Sequence, residues 1–199
     1  MPLSPPADRK LSHIRRIESW GYERADGLFD IEGVLHDSKT YGFDNQWRGR
    51  VEPGQPVHEM WVRMTVDEDY VIRDMEATSD ATPFQMCGGI APDYKKLIGL
   101  PLARDFKRQM RKHVGSTHGC THLSELIGRL ATVAFQTIGS IKTRRMREAG
   151  KKPDPSYRPA WIDTCHAWAT DSPVLQQHYP QFYTGPGATG APKAAASGD

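Results

Sequence analysis

One apolar stripe constrains this chain more than any other feature. Leu123, Leu126, Ile127, Leu130, Ala131, Ala134 and Ile138 recur at the spacing of a helix with a single buried face. Such a helix needs an apolar surface to lie on, so the rest of the chain must supply one. The pattern predicts a helix from Thr121, as N-cap, to about Arg147, where Ala149-Gly150 and Pro153 stop it. Glu125 suits its positive end and the basic run Lys142–Arg147 its negative end. His118, Cys120 and His122 crowd the point where loop becomes helix. Unpaired N–H groups at a helix start can bind an anion or stabilise a thiolate.

The opposing surface is expected from the first 80 residues. Val57–Val66 alternates with period two, placing His58, Met60, Val62, Met64 and Val66 on one face and Glu59, Trp61, Arg63 and Thr65 on the other. His58 begins a row that is otherwise apolar. Asp67-Glu68-Asp69 reads as a turn and 70–77 as the return arm of a hairpin. Leu28–His36 alternates as a strand, Asp37–Trp47 reads as a loop or frayed strand, and His13–Arg24 is mixed. In the second half, Leu100-Pro101 is expected to open a helix with Leu102, Phe106, Met110 and either His113 or Val114 inward, ended by Gly115. The expected fold class is α+β, an antiparallel sheet from the N-terminal half packed against two main helices of the C-terminal half. Residues 1–10 are expected to be disordered, 11–184 to form a single domain, and 185–199 to be a disordered tail.

Composition narrows the function classes. A chain of 199 residues with 38% hydrophobic and 25% charged residues fits one soluble domain. A net charge of +2 does not call for a nucleic-acid or membrane partner, and no apolar run approaches a bilayer span. The N-terminus lacks the basic and apolar regions of a secretory signal. Cys87, Cys120 and Cys165, odd in number and widely spaced, argue for reduced thiols in the cytoplasm.

Four spaced motifs carry a resemblance. They are Gly-Tyr-Glu-Arg-Ala-Asp-Gly-Leu-Phe-Asp-Ile-Glu-Gly (21–33), Pro-Val-His-Glu-Met-Trp-Val-Arg-Met-Thr-Val-Asp (56–67), Gly-Cys-Thr-His-Leu (119–123) and Ile-Asp-Thr-Cys-His-Ala (162–167). Over about residues 11–184 the chain resembles the bacterial family catalogued as domain of unknown function 2889. Members often sit in bacteria that degrade aromatic compounds. Some are similar to cofactor-independent lyases that release formaldehyde from lignin-derived aromatic dimers, and the resemblance implies that activity here.

Three chemistries compete for these residues. His118, Cys120 and His122 could ligate a metal, completed by His58, Asp163 or Cys165, although no paired Cys-x-x-Cys or His-x-x-x-His unit is present. Cys120 with His58 or His122 could be a nucleophile, although no oxyanion segment is evident. The lyase the resemblance implies needs a base near neutral pKa and a cation for a phenolate. His58 and His122 suit the first role and Arg63 the second, with Asp163 orienting a histidine. Cys120 belongs with this catalytic set. Tyr22, Tyr41 and Trp61 are the expected substrate-binding residues. Strand parity sets His58 and Arg63 on opposite faces, so they share a site only across a bulge or curl. The bland alternatives are an ion pair for Arg63, packing for Cys120 and core packing for Trp161 and Trp168. The leading expectation is an acid–base lyase without metal or organic cofactor, acting on a phenolic aromatic substrate, with a homo-oligomer left open. The rivals are a metal-dependent protein and a non-catalytic ligand-binding domain.

Overall fold

Strand parity decides what each residue of the sheet can touch. In the computed structural model, which describes residues 3–151, 154–159 and 161–188, four long strands pair antiparallel in the order β1-β2-β5-β6. They are β1 (His13–Glu23), β2 (Phe29–Lys39), β5 (Pro56–Val66) and β6 (Ile72–Ala81). The stretch His13–Glu23, mixed in its residue pattern, is therefore a full edge strand. A two-stranded hairpin, β3 (Phe43–Asn45) and β4 (Gly49–Val51), fills the β2–β5 connection. One face of the sheet carries Ile17 from β1, Phe29, Ile31 and Leu35 from β2, and Met60, Val62, Met64 and Val66 from β5, nearly all fully buried. The other face carries Glu32, Trp61, Arg63 and Glu76.

The buried face is covered by chain from the second half. Gln85–Leu97 winds as 3₁₀ turns and sends Ala91, Tyr94 and Leu97 into the core. The helix expected at Leu100-Pro101 begins later, as α1 (Phe106–Val114). Pro101 instead bridges Val71, and the Ile72 and Leu102 amides donate to the Leu100 and Tyr70 carbonyls. The segment thus runs extended beside β6 before a helix can start. α2 (Thr121–Glu148) follows, with Leu123, Leu126, Ile127, Leu130, Ala134 and Ile138 fully buried, as the apolar stripe requires. Burying each large side chain contributes about 1.5–3 kcal/mol, so packing rather than intrinsic propensity holds this helix. Two glycines seat it. A Cβ on Gly21 would lie 2.0 Å from Thr137 Oγ1, and one on Gly33 would lie 2.8 Å from Leu130 Cδ2. The architecture is α+β, an antiparallel sheet with helices from the second half on one face.

The chain forms two compact units, the first running to Thr143 and the second starting at Arg144. In the second, α3 (Pro173–His178) is capped by Ser172, whose Oγ accepts from the Leu175 amide. Trp161, Trp168 and Tyr179 meet edge to face, with both tryptophans half-buried rather than in the core. Residues 3–12 carry no helix or strand, while residues 1–2 and the tail beyond Ala188 lie outside the described residues. No helix of the described residues is long and apolar enough to cross a membrane.

Candidate functional site

The buried face of the sheet turns polar at one end. The inward row of β1 continues from Ile17 to Arg15 and His13, that of β2 from Leu35 to Asp37, and that of β5 from Met60 to His58. The register places Arg15 opposite Asp37 and Asp37 opposite His58, just before a bulge at Asp37/Ser38. The first turn of α2 then lays His122 on His58, with ring centroids 3.9 Å apart. Three strands and one helix thus bring the polar groups to one point.

Asp37 organises the cluster. Its side chain is 1% exposed and accepts two 2.7 Å bonds from Arg15, Nε to Oδ1 and Nη2 to Oδ2. His58 Nδ1 lies 3.1 Å from Oδ2 and His13 Nε2 3.3 Å from Oδ1. Burial pushes the Asp37 carboxyl up, but the bonds and charge of Arg15, with His58 and His13 behind them, hold it below the ordinary carboxylate range. An ionised carboxylate only accepts, so His58 Nδ1 carries the proton and its Nε2 presents a lone pair. Burial also lowers the pKa of both rings. The neighbouring His122 adds to this for His58 and Arg15 adds to it for His122, with Asp37 opposing in each case. Two stacked, half-buried imidazoles cannot both hold a charge cheaply, and both pKa values lie below the ordinary histidine value, which favours the neutral rings. Arg15 Nη1 also donates 2.6 Å to Glu125, which accepts 3.0 Å from Arg129.

Cys120 stands beside this cluster, its Sγ 3.9 Å from His122 Nδ1 and 4.0 Å from Met60 Sδ. The start of α2 is fixed by a buried tyrosine rather than by the Thr121 hydroxyl. Tyr94 Oη accepts 2.9 Å from the Cys120 amide, donates 2.7 Å to the Cys120 carbonyl and lies 2.9 Å from Ser124 Oγ. Thr121 is the first residue of the helix, and the Cys120 carbonyl accepts its first bond, from the Ser124 amide. An open groove of about 990 Å³ runs along α1 and the first half of α2, with Cys120 and Glu125 in its wall.

Of the residues expected from the sequence, the structure brings together His58, Cys120 and His122. Arg63 sits on the far face of the sheet, bonded to Glu32 at 2.6 Å and Glu76 at 3.1 Å. Trp61 shares that face and stacks on Trp20 at 6.4 Å. Tyr22, opposite Asp30, is 47% exposed, and Tyr41, 48% exposed, lies under Lys39 beyond β2. Asp163 belongs to the second unit, where it accepts 2.6 Å from Arg158 and 3.0 Å from the Thr170 amide. The carboxylate against His58 is Asp37. Asp37, Arg15, His13 and Glu125 carry no mark in a motif search. For His13, Arg15 and Asp37 the signal is parity, because each continues an inward row of β1 or β2, and Glu125 follows from its bond to Arg15.

The donor set also suits a cation. Ligand atoms of Asp37, His58 and His122 lie within 4.8 Å of one another. Two neutral imidazoles and a carboxylate form a set that zinc or iron accepts. Arg15 competes for it, since its guanidinium already engages both Asp37 oxygens.

Fold and site together define an α+β protein with a carboxylate–histidine cluster at the polar end of one sheet face. The chain belongs to the family described as "Protein of unknown function (DUF2889)", whose model matches residues 13–136. That span contains His13, Arg15, Asp37, His58, Cys120, His122 and Glu125, whereas Asp163 lies outside it. Comparison with curated proteins and with solved structures finds no match.

Proposed function

We propose that the Asp37–His58–His122 cluster is an acid–base site and that the protein is a carbon–carbon lyase releasing formaldehyde from hydroxymethyl-bearing phenolic compounds. One observation supports this most. A buried, Arg-bound carboxylate holds His58 by Nδ1, leaving Nε2 of a neutral imidazole free to take a proton. The substrate is a phenol whose benzylic carbon bears an oxygen leaving group and whose next carbon bears CH2OH. Phenolate electrons expel the benzylic oxygen and form a quinone methide. His58 Nε2 then takes the hydroxymethyl proton, the carbon–carbon bond breaks, and its electron pair forms an alkene as the ring regains its phenolate. The carbinol carbon leaves as formaldehyde. The proton that His58 takes equals the one the departing oxygen needs, so the step is redox-neutral. His122, stacked on His58, is placed to pass that proton. The three cysteines are all unpaired, in keeping with a cytoplasmic setting.

The test is incubation with a panel of such phenols, trapping formaldehyde and measuring the alkene. The expected result is a one-to-one yield that His58→Gln lowers by about 100-fold or more. Arg63→Gln, on the other face, leaves the rate within about twofold, as expected of an exposed ion pair. A panel without formaldehyde, or an unimpaired His58→Gln, overturns the proposal.

A second reading has its own observation, the convergence of Asp37, His58 and His122 within 4.8 Å. On that reading the three are ligands and the protein is metal-dependent. Binding a cation there requires Arg15 to give up at least one bond to Asp37, so metal affinity should rise in Arg15→Gln. Calorimetric titration with zinc separates the two readings.

A further inference from the structure

The groove beside the Asp37–His58–His122 cluster is lopsided in charge. Its wall carries Lys107 and Arg111 on α1, Arg129 and Glu125 on α2, and the apolar Met110 and Val114. Glu125 is already paired, accepting from Arg129 at 3.0 Å and from Arg15, which it shares with Asp37, at 2.6 Å. Lys107 and Arg111, four residues apart and so on one face of α1, form no ion pair or side-chain hydrogen bond among the described residues. Their neighbour Arg108, outside the groove wall, is paired to Asp105 at 2.6 Å. The groove therefore holds two uncompensated cations beside buried apolar side chains.

We infer that this groove binds an aromatic carboxylate, with Lys107 and Arg111 on the anion and the ring along the open α2 wall at Gly128. This inference rests on the acid–base reading, because it names the substrate class for that site. The groove borders the cluster through Cys120, 3.9 Å from His122, and through Glu125, bonded to Arg15. A guanidinium and an ammonium converging on a carboxylate form charge-assisted bonds that a neutral ester cannot accept at equal strength. Gly128 on α2 leaves room here, since a Cβ added to it would only touch Lys107 Cε at 3.6 Å.

The test is calorimetric titration of the full chain with 4-hydroxycinnamate and with its methyl ester. The acid should bind at least about tenfold tighter, and Lys107→Gln/Arg111→Gln should erase that preference. Both side chains are exposed, so the double variant should fold as the parent does. Lys107→Glu/Arg111→Glu should bind tyramine, the cationic counterpart, better than the acid. Equal binding of acid and ester, no binding of the acid at millimolar concentration, or a preference that survives the double variant overturns the inference. Formaldehyde release from hydroxymethyl phenols, one with and one without a carboxylate, is measured separately, and absence means absence from both. Its absence alongside a charge-dependent preference removes the lyase reading and leaves the groove, and the converse removes only the groove.

Discussion

Replacing Asp37 by Asn is the perturbation from which the structure derives most. The amide keeps the shape but loses one acceptor and the charge. Arg15 claims the remaining carbonyl, so the NH2 turns to His58 Nδ1, which must then be the unprotonated nitrogen. The proton moves to Nε2, where a base is needed. Breaking a fully buried ion pair costs about 3–5 kcal/mol. Here the Arg15 side chain is 32% exposed and keeps Glu125 as a partner, so the cost falls to about 2–3 kcal/mol. For a unit of this size that is a melting temperature lower by about 5–10 °C. The loss of a base in the right tautomer lowers the rate by about 100- to 10,000-fold. Long-range 1H–15N correlation spectra of the histidine rings read the tautomer directly, without substrate. The parent should show His58 protonated at Nδ1, and Asp37→Asn should show it at Nε2. A parent already protonated at Nε2, or a tautomer indifferent to residue 37, refutes the reasoning.

Other expectations follow from single contacts. Tyr94→Phe removes the hydroxyl bonded to both backbone groups of Cys120 and to Ser124, inside a fully buried side chain. It should destabilise by about 1–3 kcal/mol in urea unfolding, and a loss below about 0.5 kcal/mol contradicts that account of the α2 start. Gly21→Ala sets a methyl 2.0 Å from Thr137 Oγ1 and should cost about 1–3 kcal/mol by the same measurement, whereas a neutral result would mean that α2 can lift off β1 freely. His58 and His122 both have folded pKa values below the ordinary histidine value, so the unfolded chain binds more protons and stability falls as pH drops below about 6.5. Melting scans from neutral pH downward should show this slope, and His58→Gln should flatten it. A parent that gains stability on acidification has the sign reversed.

How much of this was legible before the structure depends on the length of each pattern. The α2 stripe and the β5 alternation extend over many residues, and both elements form as their periodicities require. His58 and His122 stood out because a titratable group interrupts an apolar row or sits at a helix start. Asp37 did not, since Asp37–Trp47 reads as a loop or frayed strand when taken residue by residue. Only pairing with Arg15 on an edge strand makes a buried carboxylate tolerable there, and pairing is a tertiary fact. The same holds for Arg63. Its type suits phenolate binding, but its parity commits it to Glu32 and Glu76 on the other face. α1 starts later than the sequence pattern suggests because Pro101 fits a first helical turn and an extended bridge to Val71 equally well, and only the neighbouring β6 edge decides.

The central claim is that protein groups alone, led by His58, break the carbon–carbon bond. The measurement that tests it most directly is formaldehyde release from a hydroxymethyl phenol by protein dialysed against a strong chelator, with metal content determined on the same sample. The account predicts full activity in the metal-free sample and its loss in His58→Gln. Activity that disappears on chelation and returns with stoichiometric zinc or iron contradicts it, and makes Asp37, His58 and His122 the ligands of a metal enzyme.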